Sequence, residues 1–400
     1  MGELHHPIIG NVKGKSVDGV IQFLGIRYAT LNHWFDNAKL AQYDGSGIVA
    51  DHHGYRLGAP GFLTSEELLK EGFKRNNGHH DQQVALEWVK RYISGFGGDP
   101  DQITVIGESA GGHQNIAEQA YNGVLKALGA EKLSTSERIE FLSRVSPEAL
   151  LSSIDSSLPF LPVLDENSCT VPFTPTFEIA STKSLIPKST SCKAVMVGYA
   201  PLDASIFGFM GLFQRKQHIA ASFIKSMNSS LSDHTDAVAH LLQTYDISEH
   251  TDDDEAFINI LRFASDIGFR ATAESFAESF PGDSFLLEFA EANPWEGPFK
   301  GHSTHVLDVA FLFQNYNEHL NEQQQASAKI FAADVIDFVQ GQAPWKRFQD
   351  DGGRAIYQGG KRTYKEIGTG SKQYDLLLRL GSTVGMDTLV KAWGVFLVGV

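Results

Sequence analysis

Cysteine is scarce in this sequence: Cys169 and Cys192 are the two cysteines among 400 residues. Secreted proteins of this size commonly contain more, because an oxidising environment allows disulfides to stabilise the fold. The first residues, 1–19, also lack the continuous apolar run that a secretion signal requires. We therefore expect a reducing compartment and a cytoplasmic location.

The sequence also lacks an apolar run of the roughly 18 residues or more that a membrane-spanning helix needs. Basic residues are few, because 33 Lys and Arg stand against 48 Asp and Glu and leave a formal charge of −15. Such a surface repels nucleic acids and anionic membranes, which carry negative charge themselves. We expect neither as a partner and favour a small molecule; the oligomeric state is left open.

Apolar residues are plentiful, at 42% of the chain against 20% charged residues, so a sizeable core can form. Proteins of mixed α/β class built on one large sheet often exceed about 250 residues as one domain. No internal repeat divides the sequence, although residues 228–255 are rich in Ser, Asp and His and predict a surface insert. We expect one domain over residues 1–400.

The most informative local pattern predicts a strand, a tight turn and a helix in succession. Gln102–Ile106 reads QITVI, which has the β-branched content of a short buried strand. The turn GESAGG follows at Gly107–Gly112, and a segment of helical character runs from about His113 to Leu128. This context is the one in which a nucleophilic serine is presented on a strand-to-helix elbow.

Ser109 is the candidate nucleophile, because a Gly-x-Ser-x-Gly turn lets its hydroxyl project freely while Gly107 and Gly111 permit the close approach of strand and helix. The backbone N–H of Ala110 would lie at the start of the helix, where unpaired amides and the helix dipole favour a developing oxyanion. Taken alone, the pentapeptide also fits an ordinary glycine turn. The surrounding strand and helix favour the elbow.

Around this turn the sequence resembles the type-B carboxylesterase/lipase family, which includes the cholinesterases and many fungal carboxylesterases. The resemblance implies an α/β-hydrolase fold with a mainly parallel central sheet flanked by helices. Two further blocks resemble filamentous-fungal members in particular. The matching blocks are Gly25–Ala29, Tyr55–Leu63, Asn77–Gln82, Phe96–Pro100 and the turn itself, and the two fungal-like blocks are Asn293–Pro298 and Phe311–Asn317.

The resemblance also implies an acidic residue after the nucleophile, in the general chain order of this fold. Asp203 matches the family's acid, because it follows the strand-ending Gly198 at the family's distance. The family has Glu there, followed by Gly and Ser, whereas this chain has Ala204 and Ser205. Aspartate is one methylene shorter but still accepts a hydrogen bond from an imidazole. The alternative for Asp203 is a solvated loop carboxylate.

The base comes last in the family's order, and two histidines, His302 and His305, lie in the matching block. The positions of Phe311 and Phe313 select His305 as the base and leave His302 as a neighbour. The alternative for His305 is a core histidine or one at a helix start. The resemblance thus implies a carboxylic ester hydrolase acting on small-molecule esters through an acyl-enzyme, with Ser109 as its nucleophile.

Neighbouring histidines do not indicate a metal site in this sequence. The pairs His52-His53 and His79-His80 would point to opposite faces of a strand, and no cysteine or carboxylate cluster completes a four-ligand set. We expect no metal and no cofactor. The resemblance further implies that Arg56 and Asp81 form a buried ion pair between flanking loops, with a structural role.

Two stretches present in the family are absent here. Between Tyr43 and Asp51 the family carries a strand and a His-Gly-Gly-Gly-type loop that completes the oxyanion hole, and just after Gly112 it carries the next central strand. We therefore expect an incomplete fold and impaired catalysis. The alternatives are an esterase-like binding or interaction protein and a truncated product of a gene for an active esterase.

Overall fold

The computed structural model describes residues 2–49, 54–107, 114–154, 158, 160, 177, 180, 192–366 and 372–399. The chain divides into two compact units, Met1–Phe173 and Thr174–Val400. Each unit has core clusters of its own. The expectation of one α/β-hydrolase domain over residues 1–400 stays a prediction. Among the described residues, no helix is both long enough and apolar enough to cross a membrane.

The first unit begins with a small, mostly antiparallel sheet. Strands β1 and β2 pair antiparallel, β2 pairs antiparallel with β3, and β6 lies parallel to β2, while β4 and β5 form a separate two-stranded ladder. The strands are β1 Gly2–His6, β2 Gly10–Val17, β3 Val20–Gln22, β4 Ala29–Thr30, β5 Lys39–Leu40 and β6 Ile48–Val49.

Helices pack around an apolar cluster in the rest of this unit. Trp34 is buried in the cluster and donates its indole N–H to the carbonyl of Leu142 at 2.7 Å, which satisfies the polar end of a large apolar side chain. The predicted helix after the serine turn is confirmed as α4. The helices of the described part are α1 Gly58–Phe62, α2 Glu66–Lys70, α3 Asn77–Tyr92, α4 Gln114–Ala127, α5 Thr135–Arg144 and α6 Pro147–Ser153.

The predicted ion pair between Arg56 and Asp81 is confirmed. The guanidinium donates Nε–H and Nη2–H to the two carboxylate oxygens at 2.8 and 2.7 Å, and the backbone N–H of Arg56 also donates to this carboxylate. The side chains are 12% and 4% exposed. The prediction of two loops is wrong in one respect, because Asp81 lies on α3. The pair joins that helix to the loop before α1.

The predicted buried strand Gln102–Ile106 is wrong. Residues 102–107 form no strand, and Val105 and Ile106 are 69% and 58% exposed. A central strand needs hydrogen-bonding neighbours on both edges, and the described residues of this unit place no strand beside the segment. Strand propensity alone does not produce a strand without partners.

The second unit contains a four-stranded sheet in the order β10-β9-β8-β7. Strands β7, β8 and β9 are parallel to one another, and β10 pairs antiparallel with β9. The strand β8 is buried on both faces from Ser284 to Leu287, as expected for a strand covered by helices on each side. The strands are β7 Ala194–Tyr199, β8 Asp283–Phe289, β9 Arg354–Gln358 and β10 Lys361–Lys365.

The helices of this unit form its largest core cluster. The predicted surface insert at residues 228–255 is wrong, because Leu231, Val238 and Leu241 of this segment are at most 2% exposed. Its apolar residues recur at helical spacing and pack inward despite the polar composition. The helices of the described part are α7 Ile206–Phe209, α8 Ile219–Ser230, α9 Thr235–Thr244, α10 Asp253–Ser265, α11 Ala271–Ser279, α12 Leu307–Leu312, α13 Glu322–Val339, α14 Phe348–Asp351, α15 Lys372–Val384 and α16 Met386–Val398.

Candidate active site

Asp203 lies just beyond the carboxyl end of β7, which ends at Tyr199, one residue later than predicted. Its Oδ2 accepts the backbone N–H of Ala200 at 2.7 Å, and its own backbone N–H donates to the Ala200 carbonyl at 3.2 Å. These reciprocal bonds close a tight turn, after which Asp203–Ser205 form a short 3-10 helix. The turn therefore fixes the carboxylate at the end of the strand.

His305 lies between β8 and α12, and two backbone contacts join its loop to the turn of Asp203. The N–H of Leu202 donates to the carbonyl of Ser303 at 2.9 Å, and Leu202 forms a parallel bridge with Thr304. The backbone N–H of His305 then donates to Oγ of Ser205 at 3.1 Å. Because β7 and β8 are adjacent and parallel, both loops leave the same edge of the sheet.

The imidazole of His305 and the carboxylate of Asp203 form a buried hydrogen-bonded pair. Nδ1 of His305 lies 2.9 Å from Oδ1 of Asp203, and the two side chains are 6% and 10% exposed. An ionised carboxylate can only accept, so a neutral imidazole in this pair carries its proton on Nδ1. Nε2 is then the basic nitrogen, which is the tautomer that a general base requires.

The backbone just after His305 is strained. Val306 has φ +66°, a left-handed conformation that β-branched residues rarely adopt and that costs on the order of 1–3 kcal/mol. The conformation reverses the chain at once, so that α12 starts at Leu307. On the N-terminal side of Val306, hydrogen bonds with Leu202 and Ser205 hold the loop in place. These contacts compensate for the strain at Val306.

A cleft of about 300 Å³ opens beside His305. Its walls are mostly apolar and include the aromatic rings of Phe209 and Phe299, whose centroids lie 5.8 Å apart. Ligand pockets of this kind combine apolar walls with a few polar groups. The cleft is lined by Ser205, Ile206, Phe209, Asn293, Glu296, Gly297, Pro298, Phe299, Thr304, His305 and Val306.

The structure brings together the predicted acid and base, but Ser109 and Ala110 lie outside the described residues. His302 does not take the place of His305 beside Asp203; it is half-buried, and burial, together with the charge of Arg262, lowers its pKa. Within the described ranges, no group of three or more His, Cys, Asp or Glu side chains is arranged to bind a metal.

Sequence reasoning missed three residues that contact the pair or the backbone next to it. Ser205 accepts the N–H of His305, and the family's acid-Gly-Ser block was the signal that could have identified it. Oγ of Ser265 accepts the N–H of Ala204 at 3.0 Å, and the ring of Phe269 packs against the imidazole. Both lie some 60 residues from Asp203 in sequence, so that no local motif indicates them.

Asp266 follows Ser265 directly and is largely shielded from solvent. Its Oδ2 accepts the hydroxyl hydrogen of Tyr245 at 2.9 Å, and burial raises its pKa to about 6. The folded pKa lies above that of an unfolded chain, about 3.9, so the carboxyl stabilises the fold only while it is protonated. This contribution is complete below about pH 4 and is lost as the pH rises through about 6.

Asp266→Asn should therefore make the stability of this unit less dependent on pH. Between pH 4 and pH 7.5 the wild-type chain should lose on the order of 2 kcal/mol more than the variant, because asparagine stays neutral and still accepts from Tyr245. Urea unfolding at the two pH values measures this difference. Glu278→Gln, at an exposed position on α11, serves as the control. Equal pH dependence in Asp266→Asn and the wild-type chain would contradict the prediction.

Comparison with known proteins supports the resemblance drawn from the sequence. Residues 30–118 match the family model described as "Carboxylesterase family". A carboxylesterase patB from Penicillium expansum is 50% identical over 70 residues, which are 17% of this chain and 12% of that protein. A para-nitrobenzyl esterase from Bacillus subtilis is 50% identical over 78 residues, which are 20% of this chain and 15% of that protein. The chain thus matches less than a sixth of the length of these relatives.

Solved structures match over a much greater length. A structure titled PNB esterase covers 94% of this chain and 99% of its own, with a TM-score of 0.67 and 18% identity. Aspergillus niger EstA covers 96% of this chain and 99% of its own, with a TM-score of 0.71 and 15% identity. At such identities the likeness shows the fold alone. The predicted α/β-hydrolase fold and the resemblance to the type-B carboxylesterase/lipase family are both confirmed.

Proposed function

We propose that this chain, whose residues 30–118 match the carboxylesterase family, hydrolyses carboxylic esters of small molecules with Ser109, His305 and Asp203 as its catalytic residues. The observation that carries the proposal is the buried pair of Asp203 and His305, with 2.9 Å between Oδ1 and Nδ1. The relatives named carboxylesterase and para-nitrobenzyl esterase support the same reaction class.

In the proposed reaction, Nε2 of His305 takes the hydroxyl proton of Ser109 as Oγ attacks the ester carbonyl. Asp203 holds the imidazole with Nδ1 protonated and stabilises the imidazolium that forms. The same imidazolium then gives its proton to the departing alcohol, which leaves an acyl group on Ser109. Water attacks this acyl-enzyme with His305 as base, releases the acid and restores the serine.

The cleft beside His305 gives this proposal a place for part of the ester. The imidazole donates a proton to the leaving alkoxide, so the alcohol part of the ester must lie beside His305. The cleft is therefore the place proposed for this alcohol part. The mostly apolar walls, with Phe209 and Phe299 among them, favour an uncharged alcohol over an ionic one. A small apolar ester is therefore the substrate class that we propose.

Ser109 should react with a fluorophosphonate probe, because such probes label a serine hydroxyl that a neighbouring base activates. We expect one labelled peptide, the one that contains residues 107–112, and no labelling in Ser109→Ala. Intact mass and peptide mapping by mass spectrometry measure both. The control is Ser222→Ala, which alters an exposed serine on α8 and leaves the proposed nucleophile in place. Labelling elsewhere with Ser109 untouched would contradict the assignment.

A further inference from the structure

One short helical segment contacts both the backbone next to Asp203 and the side chain of His305. This segment, the 265–270 turn, lies where α10 ends at Ser265 and continues directly into the π-helix Asp266–Arg270. π-helices account for well under about 1% of residues in globular proteins and occur frequently at functional sites. The 265–270 turn is therefore an unusual local structure at an informative place.

Ser265 fixes the backbone next to the acid. Its Oγ accepts the N–H of Ala204 at 3.0 Å and donates its own hydrogen to the carbonyl of Leu261 at 2.7 Å. The residue is 2% exposed, so water does not compete for either bond. The hydroxyl therefore ties the 3-10 helix that begins at Asp203 to the last turn of α10.

Phe269 limits the position of the base. Its ring lies against the imidazole of His305 in an edge-to-face arrangement, with centroids 5.6 Å apart and planes at 66°. Phe269 also packs against Phe207 at 6.4 Å between centroids and contacts two core clusters. The imidazole therefore meets a carboxylate at Nδ1 and an aromatic ring that the core holds in place.

The 265–270 turn is itself anchored on both sides of Phe269. Ile267 is fully buried in the core. The guanidinium of Arg270 donates from Nε to Glu274 at 3.0 Å and lies 3.5 Å above the ring of Tyr374, where cation and aromatic face attract each other. Because the turn cannot shift easily, the contacts that it makes with the acid and the base are fixed as well.

We propose that the 265–270 turn is a positioning element of the hydrolytic site, in which Ser265 sets the acid turn and Phe269 sets the plane of the His305 imidazole. This inference rests on the proposed function. Its physical reason is that proton transfer requires the base within about 0.5 Å of the productive position, and a displacement of about 1 Å can cost about 10² in rate.

The test replaces Phe269 by leucine in the full chain, which removes the ring but keeps an apolar side chain. We expect the Nδ1 proton of His305, followed by NMR on histidine labelled with ¹⁵N, to exchange with water about ten times faster. Turnover of p-nitrophenyl acetate should fall by about 10- to 100-fold, with KM unchanged within about twofold, because positioning affects the chemical step. Phe269→Tyr keeps the ring and should restore both values to within about threefold of wild type.

Phe276→Leu is the matched control, because Phe276 is a half-buried phenylalanine on α11 that packs against Phe280. It should change neither proton exchange nor turnover. A folded Phe269→Leu chain with wild-type exchange would overturn the proposal, and so would an equal effect of Phe276→Leu. If Phe269→Leu does not fold, Ser265→Ala replaces it, with faster exchange again expected and wild-type exchange again a refutation.

The NMR measurement separates this inference from the proposed function. If a chain with a family-like glycine-rich segment inserted between Tyr43 and Asp51 shows no His305-dependent hydrolysis, the proposed function fails, while exchange of the Nδ1 proton in the wild-type chain still reports whether the turn holds the imidazole. If hydrolysis depends on His305 but Phe269→Leu leaves exchange and turnover unchanged, the proposed function stands and the positioning role is wrong.

Discussion

His305→Ala should lower ester turnover by about 10⁴-fold, because the serine hydroxyl then has no base and the leaving alcohol has no proton donor. The pair of His305 with Asp203, 2.9 Å from Nδ1 to Oδ1, is the physical reason for choosing this histidine. The measurement is the steady-state hydrolysis of a short p-nitrophenyl ester. It uses a chain with a family-like glycine-rich segment inserted between Tyr43 and Asp51, so that the starting activity is high enough for a decrease of about 10⁴-fold to be measured.

His302→Ala is the matched control, since it removes an imidazole three residues away that does not contact Asp203. It should keep turnover within about tenfold of the parent chain. Asp203→Asn should lower turnover as well, by up to about 10⁴-fold, because an amide can hold the imidazole in the wrong tautomer. A chain that loses activity with His302→Ala and keeps it with His305→Ala would contradict the assignment.

Insertion of a family-like glycine-rich segment between Tyr43 and Asp51 should raise esterase turnover by at least about 10²- to 10³-fold, the usual effect of one oxyanion donor. As it stands, the chain forms a short exposed turn there. The Asp44 carboxylate accepts from the N–H and the hydroxyl of Ser46, and the N–H of Gly47 donates to the carbonyl of Ile9 at 2.9 Å. Within the described residues 44–49, these bonds occupy the N–H groups of Ser46 and Gly47, so that neither is available to an oxyanion.

The comparison requires hydrolysis of the same p-nitrophenyl ester by the chain with and without the inserted segment. A segment of equal length without consecutive glycines controls for the insertion itself, and Ser109→Ala in the restored chain controls for background hydrolysis. If the uninserted chain already turns over at about 10 s⁻¹, an ordinary enzyme rate, the absent loop is unnecessary and its proposed role is wrong.

Sequence reasoning was most successful where a family block specifies local chemistry. Asp203 and His305 were selected as acid and base from the spacing of short blocks, and the structure places their side chains in contact. The pair Arg56 and Asp81 was likewise selected and found. In each case the residue types themselves carry the information, because a charged or titratable side chain that is buried requires a specific partner.

Sequence reasoning failed where long-range context decides local structure. Gln102–Ile106 has the composition of a strand, yet it lacks a neighbouring strand among the described residues of its unit and remains irregular and exposed. Residues 228–255 looked polar, yet helices there bury Leu231 and Leu241. The contacts of Phe269 could not be predicted, because edge-to-face packing leaves no sequence pattern.

The exposed segment 102–107 also has a consequence for how the chain behaves in solution. The last strand of the other unit's sheet, β10, carries Lys361, Arg362 and Lys365, and such charges discourage a second molecule from extending the sheet. Residues 102–107, in contrast, contain no charged side chain and include four β-branched residues, Ile103, Thr104, Val105 and Ile106. Short, uncharged, β-prone stretches that reach solvent are the segments from which intermolecular sheets grow. Self-association at high concentration should therefore begin in the unit that carries Ser109, and Val105→Lys should delay it.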